Sequence, residues 1–256
     1  MIDPRAVVDP RARLDSSVEV GPFSIIGPDV EIGAGTWIGP HVVINGMTRI
    51  GRDNKIYQFA SLGEVPQDKK YAGEPTRLEI GDRNLIREYV TINRGTAQDQ
   101  GVTRIGDDNW IMAYVHIAHD CLIGNHTIFA NAASLAGHVV IDDYVILGGF
   151  TLISQFLHLG VNSFTAMGSV VNRDVPPYVT VSGHMAKPCG INLEGLKRRG
   201  CSTKTITQIR QAYKLLYKSK LLFEDAIQQI DAMAADCAEL IAFAAFLKNA
   251  TRGIIR

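Results

Sequence analysis

The 256-residue sequence predicts a mainly β chain: a parallel β-helix of hexapeptide repeats followed by a C-terminal α-helical domain. Three observations carry this. Aliphatic residues recur every six positions, glycine often follows them, and past Pro176 and Pro177 the period shortens to that of amphipathic helices. A period of six fits neither a helix nor simple strand alternation. It fits a short strand plus a turn, with one apolar side chain per repeat pointing inward and glycine easing the corner.

The first run of inward positions is Val8, Leu14, Val20, Ile26, Ile32, Ile38, Ile44, Ile50, Ile56 and Leu62. The phase returns at Ile80, Ile86 and Ile92, then continues shifted by one from Ile105 through Ile111, Ile117 and Ile123 to Thr165 and Val171. Two stretches break it, 64–79 (EVPQDKKYAGEPTRLE) and 94–104 (RGTAQDQGVTR). A solenoid extrudes insertions as loops on one face, often the binding face. The β-helix is therefore assigned to 1–190, with loop insertions near 64–79 and 94–104, and the helical domain to 191–256. Within the latter, Ile206, Ile209, Tyr213, Leu216 and Tyr217 lie at helical spacing, as do Leu222, Ala226, Ile227 and Ile230, then Leu240, Ile241, Ala244 and Leu247.

Composition narrows the function classes. Hydrophobic residues make up 46% and charged residues 20%, which marks a folded globular chain. Lys plus Arg (26) equals Asp plus Glu (26), so net charge gives no reason to expect a nucleic-acid partner. The balance hides an asymmetry: residues 1–191 carry 15 basic and 20 acidic side chains, residues 192–256 carry 11 and 6. Eight Lys or Arg and no acid lie between Lys197 and Lys220, a solvated face or a dock for an acidic partner. Cys121, Cys189, Cys201 and Cys237 form no CxxC pair, which suits free thiols in a reducing cytoplasm. The N-terminus lacks a signal-peptide apolar region, and the uncharged stretch between Asp143 and Arg173 is too rich in Gly, Ser, Asn and Gln to span a membrane.

Such hexapeptide runs resemble the left-handed parallel β-helix acyltransferases, in which three repeats make one triangular coil, 18 residues long. Residues i and i+18 then lie about 4.8 Å apart, one above the other. Around Ile117, this stacks His119, Gly137 and Gln155 in one column and Asp120, His138 and Phe156 in the next. The set suits acyl transfer. A histidine can take a proton from a hydroxyl nucleophile, and a carboxylate can fix its tautomer. A glycine lets a thioester approach a backbone N–H that stabilises the oxyanion. A zinc site is the competing use of His116, His119, His126 and His138, but zinc needs three or four convergent ligands. His116 and His119, three apart on a strand, would point to opposite sides, so no metal is expected.

At these residues the chain resembles the UDP-N-acetylglucosamine O-acyltransferase family, which acts first in lipid A synthesis. The likeness runs through GRDNKIYQFASLGEVPQDKKYAGEPTR (51–77), HIAHDC (116–121), LAGHV (135–139), GGFTLISQF (148–156), DVPPYV (174–179) and INLEGLKRRG (191–200). It implies transfer of a 3-hydroxyacyl group from acyl carrier protein to the 3-hydroxyl of UDP-N-acetylglucosamine by a cytoplasmic homotrimer, with sites in clefts between subunits and no further cofactor. By the same resemblance His119 is the general base, Asp120 orients it and Gly137 supplies the oxyanion N–H. His116 and His138 position the sugar, while Asp68 and Lys70 reach nucleotide-sugar. Gln155, Asn192, Glu194 and Arg199 line the UDP and acyl-donor region, and Arg198 and Arg199 dock the carrier protein.

Three positions depart from the family pattern. TINRGT (91–96) has Asn93 where the family has His, and Ser154 stands where a His often precedes QF. Met167 occupies a position where glycine leaves the acyl channel open, so an acyl chain shorter than fourteen carbons is expected. The related N-acyltransferases usually carry a uridine-binding domain before the β-helix, and hexads starting at Val8 leave no room for one. A zinc-dependent carbonic-anhydrase-like enzyme and a structural hexapeptide subunit are the remaining alternatives.

Overall fold

The computed structural model describes residues 1–250 and 252–256. Strands of mostly two residues, from Val7–Val8 to Val170–Val171, alternate with tight corners and wind a left-handed parallel β-helix. Its three faces are sheets of nine, eight and ten strands. The first face begins at Val7–Val8, the second at Arg13–Leu14 and the third at Glu19–Val20. Stacking follows the expected register: Ile117 lies against Leu135, Leu135 against Ile153 and Ile153 against Val171.

One apolar side chain per repeat suffices because the triangular interior is narrow. Ile44, Ile56, Ile86, Ile92, Ile111, Ile117 and Phe129 are fully buried, each worth about 1.5–3 kcal/mol of transfer free energy. Val8 and Leu14, in the terminal coil with nothing beneath them, are only half-buried. Thr165, the polar member of the column, accepts from the Gly148 N–H and pairs its hydroxyl with that of Thr151 at 2.8 Å, so nothing polar is stranded there. At the corners, non-glycine residues adopt left-handed backbone angles, and their side chains stack between coils. Phe23, His41, Phe59, Tyr89 and Tyr114 form one such exposed stack along the corner between the third and first faces.

The two breaks in the hexad pattern fall at one corner, between the first and second faces. Ile50 pairs with Ile80, 30 residues on, and Ile80 with Ile105, 25 residues on, against 18 in a coil without an insertion such as Ile117 to Leu135. Both insertions therefore emerge at the corner that carries His119 and Asp120 two coils and one coil further along.

Strand Val179–Ser182 joins the third face, and Lys187–Ile191 pairs with it antiparallel, ending the parallel stacking. Among the described residues four α-helices follow, α1 (Leu193–Arg198), α2 (Thr203–Tyr217), α3 (Phe223–Met233) and α4 (Ala238–Asn249), with a 3-10 turn at Ala234–Asp236 between the last two. Asn192 and Ser202 cap α1 and α2 by accepting from the Gly195 and Thr205 N–H groups. Two positions depart from the helical pattern read in the sequence. Leu222 caps α3 and is exposed, and Ile241 faces outward because Leu240, Phe243, Ala244 and Leu247 take the inner face. Residues after α4 return to the β-helix, where the Ile255 N–H donates to the Asp174 carbonyl. Among the described residues no helix is long and apolar enough to cross a membrane.

Candidate active site

The strand His116–Ile117 is followed by Ala118, and the chain turns through His119 and Asp120, the latter at φ +59°. That left-handed turn swings the Asp120 carboxylate under the insertion 94–104. There it is almost wholly enclosed, its side chain 1% exposed. It accepts from the Thr96 N–H at 2.9 Å, the Thr96 hydroxyl at 2.7 Å and His119 Nδ1 at 2.8 Å. Its own backbone N–H donates to the Thr103 hydroxyl at 2.8 Å. A carboxylate partner favours the tautomer with the proton on Nδ1, which in the neutral imidazole leaves Nε2 as the lone pair.

One coil on, Gly137 lies against the His119 ring: a Cβ there would stand 2.5 Å from Cε1. Among the described residues the Gly137 N–H has no hydrogen-bond partner. The same corner amide is unpaired at His119 and Gln155 too among the described residues, so the turn leaves it so; Gly137 differs in being buried against the His119 ring with no side chain of its own. His138 packs edge-to-face on His119 at 5.0 Å, stacks on Phe156 at 4.4 Å and donates through Nδ1 to Asp99 at 2.8 Å. His116 bonds the Thr91 hydroxyl at 2.7 Å, and its pKa is pushed down by burial and, secondarily, by His119, so it stays neutral at neutral pH. Burial lifts the nearby Cys121 thiol to about 12, which removes it as a nucleophile. An imidazole, a fixed carboxylate and an unpaired amide within one corner are groups able to serve as base and oxyanion donor for a hydroxyl attacking an acyl group.

The insertion 64–79 is tied to the same edge. The Asn93 amide donates to the Val65 carbonyl at 2.8 Å, and Arg94 donates to Gly63 O and the Tyr71 hydroxyl. Asn93 thus serves as a strap for the loop. Asp68 accepts from the Lys70 N–H within that loop, and the Lys70 side chain is exposed. Gln155 and Ser154 lie exposed on the coil after Gly137.

His116, His119, Asp120, Gly137, His138 and Gln155 therefore share one corner and its adjoining face. Asn192, Glu194, Arg198 and Arg199 do not join them in one chain. Asn192 is buried as the α1 cap and donates to the Asn162 carbonyl, Glu194 pairs with Lys197, and Arg199 lies over the Tyr144 ring at 4.1 Å. Tyr144 and Asn162 belong to the corner between the second and third faces. Met167 is elsewhere again, exposed at the corner preceding the first face, three strand spacings from His116, roughly 14 Å along the axis.

His119, Asp120 and His138 could also offer three metal ligand atoms, all within 4.8 Å of one another. The expectation that His116 and His119 diverge on a strand does not apply, because His119 lies past the strand end. What disfavours a cation here is the donor set. Asp120 already accepts three hydrogen bonds, and His119 turns a protonated nitrogen to it. Thr96, Thr103, Asp99 and Thr91 escaped the sequence reading because their contacts cross an insertion and break the regular spacing. The run TINRGT was the available signal, a polar block set where the hexads stop.

Residues 174–255 match the family profile described as UDP N-acetylglucosamine O-acyltransferase, domain 2, and residues 11–46 and 103–134 match the bacterial transferase hexapeptide profile. The chain is 57% identical to the acyl-[acyl-carrier-protein]–UDP-N-acetylglucosamine O-acyltransferase of Herminiimonas arsenicoxydans, covering 100% of this chain and 99% of the relative. It is 58% identical, with the same coverage, to the protein of that name from Janthinobacterium sp. (strain Marseille). Among solved structures, the Francisella novicida UDP-N-acetylglucosamine acyltransferase superposes with a TM-score of 0.98 at 43% identity, over 100% of this chain and 94% of that one.

Proposed function

The chain belongs to the UDP-N-acetylglucosamine O-acyltransferase family, and on that premise we propose that it transfers a 3-hydroxyacyl group from acyl carrier protein to the 3-hydroxyl of UDP-N-acetylglucosamine, the first step of lipid A synthesis. The observation that carries the reading is the single corner at which the His119–Asp120 pair lies against Gly137, whose N–H is unpaired among the described residues. His119 Nε2 takes the proton of the sugar hydroxyl as its oxygen attacks the thioester carbonyl. The carbonyl π electrons move onto oxygen, and the Gly137 N–H stabilises that charge. Collapse breaks the carbon–sulfur bond, and the His119 imidazolium returns the proton to the departing thiolate. No protein nucleophile and no further cofactor take part.

His116, neutral and held by Thr91, and His138, held by Asp99, contact the sugar in this scheme, with Asp68, Lys70 and Gln155 at the cleft margin. Asn192, Glu194, Arg198 and Arg199 sit on a different corner of the same chain. They therefore reach the site only from a neighbouring copy, which favours a homotrimer. The basic run from Lys197 to Lys220 would receive the acidic carrier protein, and the cytoplasm is the compartment this reading implies.

The test is to incubate chelator-treated protein with UDP-N-acetylglucosamine and 3-hydroxyacyl carrier proteins of graded length, and to weigh the sugar product. A singly acylated UDP-sugar is the expected result; its absence with every donor overturns the reading. The same series measures the acyl ruler. Met167, exposed in one chain, acts by projecting into the acyl path between copies. Met167→Gly is expected to move the preferred donor toward longer chains by a factor of ten or more in kcat/KM, since about two buried methylenes are worth that much. An unchanged length profile would remove Met167 from the path.

A further inference from the structure

We infer that the insertion 94–104 exists to hold the acid–base pair, and that Thr96 is a positioning residue for the acyl transfer. The inference deepens the function proposed above and rests on it. Residues 94–104 interrupt the hexads where regular coils would have turned a corner directly. The extra length delivers two threonines, both fully buried, to the two sides of Asp120. Thr96 grips the carboxylate with its backbone N–H and hydroxyl, at 2.9 and 2.7 Å, while the Thr103 hydroxyl accepts the Asp120 N–H. Asp99, at the tip of the same loop, holds His138, which packs on the His119 ring.

Each contact removes a freedom the pair would otherwise have. Asp120 sits at a left-handed corner, and its carboxylate torsion is set only by what it accepts. Without the Thr96 hydroxyl, Oδ2 loses its 2.7 Å partner and only the backbone N–H holds the carboxylate from the Thr96 side, so the seat of the hydrogen-bonded His119 ring loosens. Beyond His119, all of the hydrogen bonds to this carboxylate among the described residues come from Thr96, and His138 Nε2, at 3.9 Å, stands outside hydrogen-bond distance. Because Thr96 touches neither the attacking oxygen nor the thioester in this scheme, it acts through Asp120.

The test uses the full chain with steady-state kinetics on both substrates. Thr96→Val keeps the shape and the backbone N–H but loses the hydroxyl. It is expected to lower kcat about tenfold, with KM for either substrate changed less than twofold and the thermal midpoint little moved. Thr96→Ser and Thr96→Ala both delete the methyl group and differ only in the hydroxyl, so their comparison holds even if valine unsettles the fold. Serine should retain most of kcat and alanine should not. Equal kcat for Ser and Ala overturns the inference. In an Asp120→Ala background, where serine and alanine at position 96 are compared again, the difference between them is expected to vanish. A difference that persists in full would also overturn it, since Thr96 would then act other than through Asp120. If Asp120→Ala alone leaves kcat intact, the acid–base reading itself fails, which is a distinct outcome.

Discussion

His119→Ala is expected to lower kcat by ~10²–10⁴, the typical contribution of one positioned general base, with the fold intact. The fold should survive because His119 lies at a corner, outside the inward column that Ile117, Leu135 and Ile153 build. Asp120 loses one of its donors, at a cost of order 1–3 kcal/mol, but keeps both hydrogen bonds from Thr96. The loss should appear in kcat more than in KM, because the imidazole exchanges its proton only as the bond to the acyl carbon forms and breaks. Single-turnover transfer on folded protein, checked by thermal unfolding and sedimentation, measures it. A rate near that of the unaltered protein would remove His119 from the chemistry and leave the corner a structural one.

The hexad column and the histidine corner were legible for one physical reason. Every inward position faces the same narrow triangular interior, so the demand for an aliphatic side chain repeats, and a repeated demand leaves a period in the sequence. Stacking then made His119, Gly137 and Gln155 neighbours by counting alone. The clamp on Asp120 was not legible that way. Thr96 lies 24 residues from Asp120 and Asp99 lies 39 from His138, separations that match no multiple of the coil. Such contacts are set by the path of one insertion and occur once. Asn192 shows a different limit. Its side chain is committed to the Gly195 N–H and the Asn162 carbonyl, so a polar residue in a family motif also serves the helix it starts. Only coordinates separate the two duties. Ile241 shows a third, since helical spacing allows either of two adjacent apolar residues to face inward, and packing by Phe243 decides between them.

Gly137→Ala is the second large effect, and it separates the two parts the glycine plays. A methyl group at that position would stand 2.5 Å from His119 Cε1 and 2.8 Å from Nε2. Carbon atoms do not approach so closely, so the ring must move, and the 2.8 Å bond to Asp120 opposes that movement. The backbone itself accepts alanine, because Gly137 is not among the residues in the left-handed region, so the chain should fold with a similar thermal midpoint. A displacement near 1 Å in a catalytic group costs on the order of 10²-fold, and that is the fall in kcat expected. Repeating the substitution in the His119→Ala background removes the clash while still placing a methyl group beside the unpaired amide. A further loss there would show that the bare amide is needed to receive the oxyanion, and no further loss would show that the glycine serves only to seat the base. Full activity of Gly137→Ala on its own would contradict both roles, because the ring could not then occupy the position from which its proton transfer has been argued.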